Sequence, residues 1–215
     1  MPSSNQKRIE STILVFLKAP RIGYVKTRLA QSIGLESALK IYRLLVERQL
    51  GELYPNTPIE VHYTPGDALE EMRDWLGSGY DFYSQCDGGL GLRLEYAVSH
   101  AFNRGAQSVI CIGGDCPSLN RTHFTQTSLA LQLDNDVVFG PSEDGGYYLI
   151  GLNEPHVELF RNISWSTATT LQESIQKSEL LGLRMKLLET LYDIDEVDEL
   201  NRAISEGLLA SEFTL

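Results

Sequence analysis

The sequence predicts an α/β fold, a three-layer α/β/α arrangement around a mostly parallel central sheet. Short β-branched apolar runs recur along the chain and alternate with stretches of helical period. The strongest runs, at 12–17 and 109–112, lack polar alternation, as expected of strands covered on both faces. Glycine, proline and charged residues gather just after those runs, at the sheet edge where such folds bind ligands.

Taken in order, Thr12 to Leu17 reads as the first strand, ending at Lys18-Ala19-Pro20. Pro20 and Gly23 make residues 18–29 a loop. Ala38, Leu39, Tyr42, Leu45 and Val46 share one face of a helix over 34–50. A turn at 55–58 leads to an alternating strand, Ile59 to Tyr63, and a helix from Ala68 to Leu76 closed by Gly77. Tyr80 to Ser84 is a short strand. Gly89-Leu90-Gly91 starts a dinucleotide-type glycine pattern, but Leu94 occupies the last glycine position and the motif fails. Leu94, Ala97, Val98, Ala101 and Phe102 then line a helix that Gly105 stops. Val109 to Ile112 is the central strand, followed by a helix through Phe124 and Leu131. Asp136 to Phe139 and Tyr148 to Leu152 are strands flanking a glycine-rich loop. Trp165-Ser166-Thr167 opens a helix ending at Gly182, Met185 to Leu191 is the last strand, and Asp195 N-caps a helix carrying Leu200, Ala203 and Ile204. With 215 residues and no linker or repeat, residues 1–215 suit one domain, with 1–9 a loose terminus.

Eighteen basic against 29 acidic residues give a net charge of −11, which argues against binding nucleic acid or an anionic membrane. No apolar run is long enough to span a bilayer, and the N-terminus lacks the apolar core of a signal peptide, so a cytoplasmic protein is expected. Cys86, Cys111 and Cys116 have no Cys-x-x-Cys spacing and no histidine cluster beside them, which argues against structural zinc. Cys111 suits the core; Cys116 suits either the core or a thiol beside a site.

Against that acidic background, Lys18, Arg21, Lys26 and Arg28 form a dense basic island at the end of the first strand. Lysine supplies point charges and arginine a fork for phosphate oxygens, although charge runs also serve as plain solvated surface. Gly113 and Gly114 precede Asp115 at the end of the central strand. A carboxylate there suits a hard cation such as Mg²⁺, held by one or two carboxylates plus substrate phosphates, or alternatively a turn cap. Glu143 and Asp144 sit in a sterically open loop with Gly145 and Gly146 before Tyr147, which is equally a hairpin signal. Asp193 and Asp195 form a late acidic pair. There is no phosphate loop of the Gly-x-x-x-x-Gly-Lys type, no nucleophile elbow and no zinc helix.

Lys18-x-Pro20-x-x-Gly23-x-Val25-Lys26-Thr27-Arg28-Leu29, Gly114-Asp115-Cys116-Pro117, Gly140-Pro141-x-x-Asp144-Gly145-Gly146-Tyr147-Tyr148, Trp165-Ser166-Thr167 and Asp193-Ile194-Asp195 together resemble one family. It is the bacterial glycosyltransferase-A-like transferases of the radical-SAM/selenodomain-associated type. They are distantly similar to molybdenum-cofactor and phospholactate guanylyltransferases. The resemblance implies the nucleotide-diphospho-sugar transferase (Rossmann-like) fold, with Asp115 where that fold places its metal-binding carboxylate. One departure stands out: the family's Asp-Leu-Gly-Glu-Arg is here Gly89-Leu90-Gly91-Leu92-Arg93, with both acids replaced and Arg93 kept.

The expected site therefore comprises Asp144, Lys26 and Arg28 as catalytic groups and Asp115, Asp193 and Asp195 as ligands for Mg²⁺ or Mn²⁺. Lys18, Pro20, Gly23, Arg93, Gly113, Gly114, Gly145, Gly146, Tyr147 and Trp165 join Lys26 and Arg28 around a nucleotide. Three functions fit. One is a metal-dependent transferase using a nucleotide-sugar donor and an unknown acceptor. Another is a nucleotidyltransferase releasing pyrophosphate from an NTP, which several cations would suit. The third is a non-catalytic nucleotide-binding protein, suggested by Gly89 and Leu92. Sequence leaves the oligomeric state open.

Overall fold

β-branched and aliphatic runs become strands here because both of their faces are covered. In a computed structural model describing residues 11–53, 55 and 57–210, those residues form a seven-stranded sheet. The strands are β1 (Thr12–Lys18), β2 (Ile59–Thr64), β3 (Asp81–Ser84), β4 (Val109–Ile112), β5 (Val137–Pro141), β6 (Tyr147–Leu152) and β7 (Met185–Leu187). They lie in the order β3-β2-β1-β4-β6-β5-β7. Only β6 runs antiparallel to its neighbours, β4 and β5.

Helices cover both faces, giving the expected three layers. On one side α2 (Leu35–Gly51), α3 (Leu69–Leu76) and α5 (Arg121–Leu133) pack through Tyr42, Val46, Met72 and Phe124 onto Ile13, Val15 and Leu17. On the other, α4 (Leu90–Asn103) and α6 (Thr170–Leu180) pack through Leu94, Ala97, Val98 and Leu171 onto Leu14, Cys111, Phe139 and Ile150. Alternate residues of β1 thus serve opposite cores, and each fully buried Leu or Phe contributes roughly 1.5–3 kcal/mol. Outside α2, a third cluster joins α1 (Thr27–Ile33) and α7 (Val197–Ser205) through Leu29, Ile41, Leu45 and Leu200.

The direction of β6 decides where the site forms. Being antiparallel to both neighbours, β6 leaves β5 pointing the same way as β4. The tip of the β5–β6 hairpin therefore shares the sheet edge with the carboxyl ends of β1 and β4. β7 is parallel to β5, so the segment after it emerges at that edge too. Hydrogen bonds fix that segment: Leu188 N–H donates to Phe139 O (2.8 Å), Leu191 N–H to Pro141 O (3.0 Å) and Ile194 N–H to Asp115 O (3.1 Å). Among the described residues no helix is long and apolar enough to cross a membrane.

Several boundaries differ from expectation. Residues 27–33, expected as loop and connection, are helical as α1. The stretch Leu90 to Arg93 is the first turn of α4, with Gly89 as N-cap, and does not precede the helix. The helix expected at Trp165 begins at Thr170, because Ser166 holds a left-handed backbone (φ 60°). The last strand stops at Leu187; beyond it only Leu191 makes an isolated bridge, to Ser142. The N-cap of α7 is Glu196, whose N–H is met by Glu199 (2.8 Å), so Asp195 does not cap the helix. The terminus 1–9 lies outside the described residues, as does Asn56 in the turn expected over 55–58.

Candidate active site

The chain leaving β1 is anchored by Ala19 N–H to Thr64 O (2.7 Å), turns through Gly23, and returns at buried Val25. That anchor turns Lys26 inward. Lys26 adopts a left-handed conformation (φ 47°, ψ 44°), which costs a non-glycine residue roughly 1–3 kcal/mol and persists only where surroundings enforce it. The enforcing contacts are two carboxylates. Lys26 Nζ lies 2.6 Å from Asp115 Oδ1 and 3.3 Å from Asp195 Oδ1, and the lysine side chain is only 4 % exposed. Burial works against its charge, but Asp115 and Asp195 outweigh burial and hold the ammonium above its ordinary range.

Asp193 completes the acidic group from deeper in. Its Oδ2 accepts a hydrogen bond from Ser142 Oγ (2.9 Å). Burial, reinforced by the Asp115 charge, pushes its carboxyl up to about 7. Asp144 sits at the hairpin tip, where its Oδ1 accepts from Gly146 N–H (2.9 Å). Arg28 is exposed and reaches Asp195 Oδ2 and Glu196 Oε1 only loosely, at 3.8 Å each. Tyr42 from α2 fixes the end of β1: its hydroxyl donates to Lys18 O (2.9 Å) and accepts from Lys18 N–H (3.0 Å). Arg93 in the first turn of α4 donates to Gln85 Oε1 (3.1 Å) and Gly88 O (2.9 Å).

These side chains surround one cleft with two adjoining lobes. The larger, about 470 Å³, is lined by Lys18, Lys26, Arg28, Arg93, Gly113 and Gly114. The smaller, about 300 Å³, is lined by Asp144, Gly146, Tyr147, Trp165 and Asp193. Asp115 and Asp195 border both. Thirteen of the sixteen expected site residues thus face one cleft. Pro20, Gly23 and Gly145 do not line it. Gly145 (φ +87°) is a packing position, since a Cβ there would lie 2.2 Å from Ala168 O. Gly114 is also set by packing: its Cβ would meet Val46 at 2.7 Å, whereas a Cβ on Gly113 would face open space. Arg21 turns away from the basic island and spends its guanidinium on Glu71 and Asp67. Cys116 is core: burial pushes its thiol up to about 12, which removes the reactive reading.

Sequence reasoning missed Gln85, Ser142 and Ser166. Ser142 lay inside the recognised glycine loop and was legible as a polar residue there. Gln85 is identified only by its position, between Arg93 and the backbone of His62 (2.7 Å to its carbonyl). Ser166 stands in the Trp165-Ser166-Thr167 motif, but its place in the cleft wall and its left-handed backbone show only in the structure.

Among the described residues no three His, Cys, Asp or Glu side chains form a ready metal cage. The arrangement still fits a divalent ion of the kind that completes its shell with phosphate and water. Asp115 and Asp195 converge on one point, and a cation, the Lys26 ammonium, already occupies it.

The comparisons with known proteins bear on family and fold. Residues 52–167 match the sequence profile of the family described as uncharacterized protein conserved in bacteria (DUF2064). A provisionally assigned nucleotide-diphospho-sugar transferase from Desulfovibrio desulfuricans G20 is 33% identical, over 95% of this chain and 90% of that one, with a TM-score of 0.87. The 4-diphosphocytidyl-2C-methyl-D-erythritol synthase of Anaerococcus prevotii is similar in fold alone, at 11% identity and TM-score 0.62, over 96% of this chain and 100% of that one. So is a mannosyltransferase of Pyrobaculum calidifontis holding GDP-Man and Mn²⁺, at 12% identity and TM-score 0.53, over 87% of this chain and 57% of that one. No curated protein matches the chain.

Proposed function

This chain belongs to the bacterial DUF2064 family, and we propose that it is a metal-dependent transferase that moves a group from a nucleotide-sugar donor to a hydroxyl acceptor. The observation carrying this reading is the convergence of Lys26, Asp115 and Asp195 at the junction of the two lobes. The cations of the larger lobe suit a nucleoside diphosphate: Lys18 and Lys26 as point charges, Arg28 and Arg93 as forks. Asp115, with Asp195 and Asp193 behind it, would hold Mg²⁺ or Mn²⁺; the ion, when bound, offsets charge growing on the leaving diphosphate. Lys26 then exchanges its carboxylate partners for phosphate oxygens. Loosely tethered Arg28 swings onto the same oxygens. Asp144, across the junction, orients the acceptor hydroxyl and takes its proton as the new bond forms. The manganese in the mannosyltransferase neighbour supports this reading by analogy of fold only.

A second reading, nucleotidyl transfer with release of pyrophosphate, is favoured by the four basic side chains of the larger lobe, which could satisfy a triphosphate. A thermal-shift panel of NTPs and nucleotide sugars, with and without Mg²⁺ or Mn²⁺, tests the proposal, because a bound ligand raises the midpoint by mass action. Stabilisation by nucleotide sugars only with metal supports glycosyl transfer. Metal-dependent stabilisation by NTPs alone supports nucleotidyl transfer. No response to either class refutes both.

A further inference from the structure

The two lobes carry opposite charge. All four basic side chains border the larger lobe, whereas the smaller is bordered by Asp115, Asp144, Asp193 and Asp195 with no Lys, Arg or His. Apart from the hydroxyls of Ser166, Thr167 and Thr170, the rest of its wall is largely apolar, with Phe16, Leu90, Leu94, Ile112, Tyr147 and Trp165. The indole has little freedom, packed against the Tyr147 and Phe160 rings at 6.1 and 6.5 Å, and a Cβ on Gly91 would lie 2.4 Å from its Nε1. The wall is therefore preformed.

Resting on the reading above, we propose that this lobe takes the acceptor and selects an uncharged or cationic molecule with an apolar or aromatic face, while excluding phosphorylated and carboxylated acceptors. Lys26 and Arg28 face Asp115 and Asp195, and Asp193 hydrogen-bonds Ser142, so Asp144 is the carboxylate of this lobe that meets no cation among the described residues. An anionic acceptor would meet the Asp144 carboxylate with no cation beside it, which weakens its binding relative to a neutral or cationic one and acts as a filter. A hydroxyl-bearing ring with an apolar face instead packs on Trp165 and presents its hydroxyl to Asp144. Such a pocket disfavours nucleotidyl transfer to a sugar phosphate, because that acceptor brings its own phosphate to the acidic side.

The test is the indole N–H resonance of Trp165, with Trp75, remote on α3, as internal reference and Trp165→Phe for assignment. Phenyl glucoside, benzylamine and phenyl phosphate are titrated into the full chain as probes sharing one ring. Phenyl glucoside and benzylamine are expected to move the Trp165 signal, leaving Trp75 unmoved, at concentrations where phenyl phosphate does nothing. Asp144→Asn, on an exposed tip, is expected to raise the phenyl phosphate response by about tenfold. An equal response of the wild type to phenyl phosphate, or none to phenyl glucoside, overturns the inference. If nucleotides with metal still stabilise the chain in that case, only the acceptor assignment fails; if they do not, the transferase reading has failed as well.

Discussion

Replacing Lys26 by Met separates the roles of its ammonium. The substitution keeps the buried stem and removes contacts of 2.6 and 3.3 Å to Asp115 and Asp195. Stripping one partner from a fully buried pair costs 3–5 kcal/mol, but these carboxylates are 43% and 47% exposed, so water compensates and about 1–2 kcal/mol is expected. That corresponds to a melting-point loss of roughly 2–8 °C for a chain of this length. Nucleotide binding loses one charge-assisted contact of about 1.5–3 kcal/mol, or some 10- to 100-fold in Kd. Metal binding moves the other way. With the ammonium gone, nothing competes for Asp115 and Asp195, and Mn²⁺ binds the free protein at least several-fold more tightly. Calorimetric titration with Mn²⁺ alone, then with a nucleoside diphosphate in saturating Mn²⁺, reads both quantities. Parallel loss of metal and nucleotide affinity in Lys26→Met would refute the idea that lysine and ion share one position.

Gly145→Ala places a Cβ against Ala168 O at a left-handed φ, so a loss of roughly 2–4 kcal/mol is expected in urea unfolding; a loss below 0.5 kcal/mol, about the surface-substitution range, would show that the tip repacks freely. Burial alone would raise the Glu60 carboxyl, but hydrogen bonds from His62 (3.1 Å) and Arg104 (2.5 Å) hold it below its ordinary 4.5. Its contribution to stability is therefore complete above that value and is lost as pH falls through the lowered folded value. Glu60→Gln should flatten the decline of the urea midpoint on acidification from pH 6 to about 3.5; an unchanged slope would exclude Glu60 as its source. Gly91→Ala should disturb Trp165 and weaken phenyl glucoside binding while leaving metal-dependent nucleotide binding in place, readable from the two titrations together.

Much of this site was legible in sequence because strand ends in such sheets carry function. Lys18, Lys26 and Asp115 follow apolar runs that had no structure open to them other than buried strand. At Asp144 the Asp-Gly turn signal holds: the loop is a hairpin, and its antiparallel return delivers the tip to the sheet edge that also carries Lys26 and Asp115. The rest depended on contacts distant in sequence. Residues 27–33 are too short to form a helix alone and do so because Leu29 docks on α2. Asp193 gains its partner Ser142 across 51 positions, which no local pattern reveals. Gly114 sits in a motif and reads as making room for a ligand, yet the neighbour needing that space is Val46 of α2. Arg21 belongs to the basic island by spacing and to Glu71 by geometry.

Calorimetry of a nucleoside diphosphate binding to the wild type and to Asp115→Asn, each with Mg²⁺ and again with EDTA, addresses the shared grip on phosphate most directly. Binding by the wild type should depend on Mg²⁺, and the variant should bind equally weakly in both conditions. Wild-type affinity that survives EDTA, or a variant that keeps its response to Mg²⁺, would contradict a divalent ion held by Asp115 beside Lys26.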